Sequence, residues 1–165
     1  MSALERPAEV RLVALFDEAA RAGSAARAFL HSGLGEGRVA VLAREAGGTA
    51  FGAVPPGAVL GLPGVGRVVV RGMLAREIEA SPVGELGRLG TALRRVGLSA
   101  TDVPRLERAI HRGQVVVLAA VPLAEARGWG RLLEREGAAS LSARPRLGVW
   151  PPEHIGTRDA THGRS

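Results

Sequence analysis

Four histidines, His31, His111, His154 and His162, are the residues best suited by type to acid–base or metal chemistry. Their spacing offers no such site. His31 and His111 each fall in the last turn of a predicted helix, where a cation complements the helix dipole. His154 and His162 lie near the C-terminal end, where no rigid supporting shell is expected. No His-Glu-x-x-His pair is present, and a metal site needs several convergent ligands. The absence of Cys excludes thiolate nucleophiles, disulfides and Cys-ligated zinc or iron–sulfur centres.

Nucleotide chemistry fares no better. A P-loop requires a lysine to reach the phosphates, and the chain has none. Gly-x-Gly occurs at Gly33/Gly35, Gly35/Gly37, Gly64/Gly66 and Gly128/Gly130, but no third glycine completes a dinucleotide fingerprint. No Gly-x-Ser-x-Gly elbow exists. The carboxylates stand beside arginines, Glu107 near Arg108 and Arg112 and Glu134 near Arg131 and Arg135. That pattern fits solvated ion pairs on helix faces. Catalytic, cofactor and metal residues are therefore expected to be none, and the chain is expected to be non-enzymatic.

One positive feature remains. Arg88, Arg94 and Arg95 fall on one predicted helix, and Arg105, Arg108 and Arg112 on the next. Spacings of three, four and seven place the second set on one face. Arg94, Arg95, Arg105, Arg108 and Arg112 form a candidate basic surface for phosphates or an acidic partner. Interleaved aromatics, expected of a single-strand binder, are missing. The net charge is +6, and every basic residue is Arg. With Lys and Asn both absent, this composition suggests a GC-rich genome, so the high pI alone is weak evidence for nucleic acid.

The elements that would position these residues can be read from periodicity. Val10–Phe16 reads as a strand, followed by Asp17 as a helix cap, a helix to about Ser32, Gly33 as its stop, and a strand over Val39–Ala43. Gly47–Gly66 reads as a loop; it carries seven glycines and Pro55, Pro56 and Pro63. Those residues break any membrane-spanning helix. Arg67–Arg71 reads as a short strand and Leu74–Glu79 as a short helix. Gly84–Val96 is a helix ended by Gly97; a second follows the capping oxygens of Ser99–Asp102, with Pro104 in its first turn, Val103, Leu106 and Ile110 on one face, and Gly113 closing it. Gln114–Val121 is apolar throughout, as in a central strand covered on both faces. Leu123–Glu136 follows as a helix with Leu123, Ala126, Trp129, Leu132 and Leu133 inward. Gly128 and Gly130 within it suggest close backbone packing. Gly137 ends it, and Ala139–Ala143 is the last strand.

Strand–helix–strand thus occurs twice, and two such units in one sheet give a ferredoxin-like arrangement. The expected class is α+β: a ferredoxin-like βαβ…βαβ sheet with a Gly/Pro-rich and helical insertion between the halves. Residues 1–9 form an N-terminal arm, 10–143 a single domain with its insertion at about 47–113, and 144–165 a flexible tail. Trp150 in that tail is a candidate anchor for the body or a partner. No signal peptide or transmembrane segment is read, so a cytoplasmic location is expected.

Three stretches carry a resemblance to a family. They are Leu12-Val13-Ala14-Leu15-Phe16-Asp17-Glu18-Ala19-Ala20, the turn Leu62-Pro63-Gly64-Val65-Gly66, and the block from Val96-Gly97-Leu98 through Arg112-Gly113-Gln114-Val115-Val116-Val117. Over roughly Val10–Ala143 the chain resembles the bacterial heat-induced general-stress (YflT-like) proteins, which are glycine-rich. Members carry a longer small-residue helical insertion; here that segment is short and broken by prolines. The resemblance implies stress association and supplies no site. The expected function is a stress-associated role exerted by self-association, as a homo-oligomer, or by binding an unknown protein partner. The alternatives are Arg-dependent nucleic-acid binding and peripheral membrane attachment through the apolar segment at 47–70.

Overall fold

Six strands and five α-helices make up the described residues of the computed structural model, which are 9–33, 38–44, 58–62, 66–79 and 85–145. Within α3 and β6 (bounds below), the side chains of 85–88 and of 144–145 are not described. The class is mixed α+β. In chain order the elements are β1 (Glu9–Phe16), α1 (Ala19–His31), β2 (Val39–Arg44), β3 (Ala58–Leu62), β4 (Gly66–Gly72), α2 (Met73–Glu79), α3 (Glu85–Arg95), α4 (Asp102–His111), β5 (Val115–Pro122), α5 (Ala126–Arg135) and β6 (Ser140–Pro145).

The strands form one sheet in the order β3-β4-β2-β5-β1-β6. Every neighbouring pair is antiparallel. Strand β5 runs between β1 and β2, and β1 runs between β5 and β6. The strands of each strand–helix–strand unit therefore point the same way, each separated by one strand of the other unit.

Helices cover both faces. On one face, Val10, Leu12, Ala14 and Phe16 of β1 and Val115, Val117, Ala119 and Val121 of β5 pack against Ala22, Ala26 and Phe29 of α1 and Leu133 of α5. On the other, Val13, Leu15, Leu42, Val116 and Leu118 meet Leu74 and Ile78 of α2, Leu89 and Leu93 of α3, and Leu106 and Ile110 of α4. This two-sided burial explains the unbroken apolar run of β5, since alternate side chains enter different cores. Aromatics add little bulk; among the described residues Phe29 stacks on Trp129 at 4.4 Å between ring centroids.

Three helices stop in the same way. Gly97, Gly113 and Gly137 have φ of +107°, +90° and +101°. The following residues Leu98, Gln114 and Ala138 donate their N–H groups back to Leu93, Ala109 and Leu133. These are Schellman turns, in which the left-handed residue redirects the chain and satisfies an end carbonyl.

Several expectations are corrected. Part of the segment read as a loop, Ala58–Leu62, is strand β3, because β4 has a free edge on which an extended apolar run can pair. Asp17 does not cap α1; its carboxylate accepts the Gln114 side-chain amide at 2.9 Å, joining the end of β1 to the start of β5. Leu123 is not inward. It sits in a 3-10 turn over Leu123–Glu125 and is 39% exposed, because the chain must reverse after Pro122 before Ala126 can reach the core. A Cβ on Gly128 would meet nothing within 4 Å, so close packing is not its reason. Residues 45–57 and 63–65, with Pro55, Pro56 and Pro63, lie outside the described residues, as do His154, His162 and Trp150.

Candidate interaction surfaces

The arginines of the basic surface divide by position. Arg94 and Arg95 are exposed at the C-terminal end of α3, and Arg108 and Arg112 are exposed at that of α4. Arg95 stands 3.5 Å from the Glu77 carboxylate. Arg105 differs from its helical neighbours. It is half-buried and donates from Nη2 to the Ser142 hydroxyl of β6 at 3.2 Å. The face that spacing alone assigned to Arg105, Arg108 and Arg112 is thus split: Arg105 ties α4 to the sheet, while the other two face solvent. The side chain of Arg88 lies outside the described residues.

Other arginines have a structural use that the sequence does not disclose. Arg11 is buried and donates from Nε to the Val96 carbonyl, just past the end of α3. Arg21 donates to the Glu136 carbonyl at the end of α5, and Arg44 to the His111 carbonyl at the end of α4, each at 3.4 Å. The last carbonyls of a helix lack intrahelical donors and carry its partial negative charge. Three cations from other elements are placed there. Part of the basic excess therefore serves the fold, which weakens the link from pI to polyanion binding.

Glu9 sits between Arg11, at 3.1 Å, and Arg38, which also donates to its carboxylate. Burial pushes the Glu9 carboxyl up, but the hydrogen bonds and charges of Arg38 and Arg11 together outweigh it and hold the group below its ordinary value. The cluster joins the start of β1 to the start of β2. Asp102 is buried and accepts from the Ser99 backbone N–H at 2.9 Å and the Ser99 hydroxyl at 3.0 Å. These bonds close the turn ahead of α4; no side chain caps the helix at Thr101, so the capping expected of the oxygens over Ser99–Asp102 is not what they do. Both carboxylates have structural partners. Among the described residues no group of three or more His, Asp or Glu converges as a metal site.

The strand edges are the feature sequence reasoning missed. The sheet ends at β6 on one side and β3 on the other. Strand β6 carries Ser140, Ser142, Arg144 and Pro145. Charge and proline are the usual means by which an edge is kept from pairing. Strand β3 reads Ala-Val-Leu-Gly-Leu, without charge or proline. Its Leu60 and Leu62 point into the core, whereas Val59 is 41% exposed beside Val69 of β4. Val59 and Leu123 are the exposed large hydrophobics among the described residues, and only Val59 lies on an edge. The signal available beforehand was an uncharged five-residue run bracketed by Pro56 and Pro63. Its position at the edge depends on topology.

No helix among the described residues is long and apolar enough to cross a membrane. No family model matches the chain, and no curated protein or solved structure shows similarity to it.

Proposed function

We propose that the chain is a non-enzymatic, stress-associated cytoplasmic protein that acts by self-association or by binding a protein partner, and that it does so through the β3 edge. The observation that carries this proposal is the chemistry of that edge: five uncharged residues with Val59 41% exposed. An edge strand presents backbone N–H and C=O groups in a row, and only another extended backbone satisfies them together. The opposite edge bears Arg144 and Pro145, so the two ends of the sheet are not equivalent.

Stress association is carried by the resemblance to the heat-induced general-stress proteins. The ferredoxin-like arrangement is supported by the strip β2-β5-β1-β6, in which the two strand–helix–strand units interleave with α1 and α5 on one face. On that reading β3, β4 and α2–α4 are the insertion, and they fill the face that a bare ferredoxin-like unit leaves open.

Size-exclusion chromatography with light scattering over a range of concentrations tests the function. A mass that rises with concentration is the expected result. A strict monomer at the highest concentration, with no protein bound through β3, would overturn it. A second reading, Arg-dependent nucleic-acid binding, draws on the exposure of Arg108 and Arg112 on successive turns of α4. It requires that Arg108→Ala and Arg112→Ala each weaken binding to nucleic acid at low salt; no binding by the parent protein removes it.

A further inference from the structure

Resting on the proposal that β3 is the site of association, we infer that its partner is β3 of a second copy, paired antiparallel about a two-fold axis through Leu60. The register follows from three constraints. Residues directly opposite in an antiparallel pair share a face, so a one-residue slip would turn core-facing positions to solvent. Leu60 and Leu62 face the core and Val59 faces out, which leaves only registers centred on a residue of β3. Centring on Val59 sets Leu62 against Pro56 of the other copy, and centring on Gly61 sets Val59 against Pro63. Proline has no N–H to give the ladder. Centring on Leu60 pairs all five residues and keeps every proline out.

The side chains agree with this register. Val59 then stands opposite Gly61 of the second copy, where no side chain competes for the space. The two Val59 side chains lie on the diagonal, within reach of each other across the join. No charge falls on the paired residues, so the +6 net charges repel only from a distance. The contact area limits the strength. Two five-residue edges bury less than the roughly 1,000 Å² typical of a stable interface. The dimer is therefore weak and depends on concentration, and it extends the six-stranded sheet to twice its width.

The chain has no Cys, so single cysteines report the register without background. Val59→Cys and Gly61→Cys proteins are mixed at near-millimolar concentration and oxidised gently. Directly opposite positions lie within disulfide reach, whereas diagonal ones are about 7–8 Å apart. A mixed 59–61 disulfide is expected at least ten times more abundant than either homodimeric disulfide. Dominant 59–59 or 61–61 disulfides would overturn the register by indicating a slipped pairing. Hydrogen exchange on the unmodified protein provides a second readout that does not depend on the variants folding. Exchange over 58–62 should slow at least several-fold between low and high concentration. A dimer with no such slowing overturns the β3 pairing and leaves self-association standing. A monomer at every concentration overturns both.

Discussion

Two glycines show how differently one residue type can be used. Gly72 ends β4 at φ +83°, and a Cβ there would lie 2.0 Å from the Val39 carbonyl oxygen in the adjacent strand. Neither the dihedral nor the backbone contact can relax cheaply. Gly72→Ala is expected to cost several kcal/mol, on the order of 3 or more, since strain and overpacking act together. Gly128 is exposed within α5 and meets nothing within 4 Å. Gly128→Ala is expected to stabilise the protein by about 0.5–1 kcal/mol, through helix propensity and a less flexible unfolded chain. Urea titration of the two variants should move the midpoint in opposite directions. Glu9 adds a pH dependence. Its folded pKa is depressed, so its contribution is present above the unfolded value of about 4.3 and is lost as pH falls through the folded value. The stability difference between wild type and Glu9→Gln should therefore be flat near neutrality and shrink below about pH 4. A difference that grows on acidification would contradict the Arg11–Glu9–Arg38 assignment.

At the level of elements, what could be read in the sequence was what is decided locally. Val115-Val116-Val117-Leu118 shows a strand buried on both faces because each side chain is apolar. Gly97, Gly113 and Gly137 mark helix ends because only glycine takes positive φ without strain. Strand β3 could not be read, since its extended form is set by pairing with β4 and its edge position by the order of the whole sheet. The candidate site was hidden for the same reason. Asp17 was misassigned because a cap and a cross-element acceptor look identical in sequence. The cation at the end of α3 is equally invisible, because Arg11 and Val96 are 85 positions apart. These trans caps carry a graded prediction. Arg11→Met removes a buried charged donor and leaves the Val96 carbonyl unpaired by it; a loss of about 2 kcal/mol is expected. Arg21→Met and Arg44→Met act at exposed helix ends, and each should cost no more than about 0.5 kcal/mol. Equal effects at all three would show that burial does not govern the contribution.

At the scale of the whole molecule, helices cover both faces of the sheet, which ends at β3 and β6 among the described residues. Helices α1 and α5 take one face; α2, α3 and α4 take the other, around a core separate from the first. With both faces covered, association has to proceed through an edge or over the helices, and β6 carries the residues that discourage pairing. The net charge then decides between the two functional proposals. Two copies at +6 each repel one another, and this repulsion is screened as the Debye length falls from about 30 Å at 0.01 M salt to about 8 Å at 0.15 M. Self-association through uncharged β3 should tighten with salt, by a few-fold across that range. Binding of nucleic acid through Arg94, Arg95, Arg108 and Arg112 should do the reverse, because phosphate contacts release counterions on binding and are opposed by added salt. Sedimentation equilibrium of the protein alone at both salt concentrations measures the first trend, and Val59→Lys should abolish the self-association by placing a charge on the edge. A dimer that weakens as salt rises would mean that charged groups, and not the β3 backbone, hold the copies together.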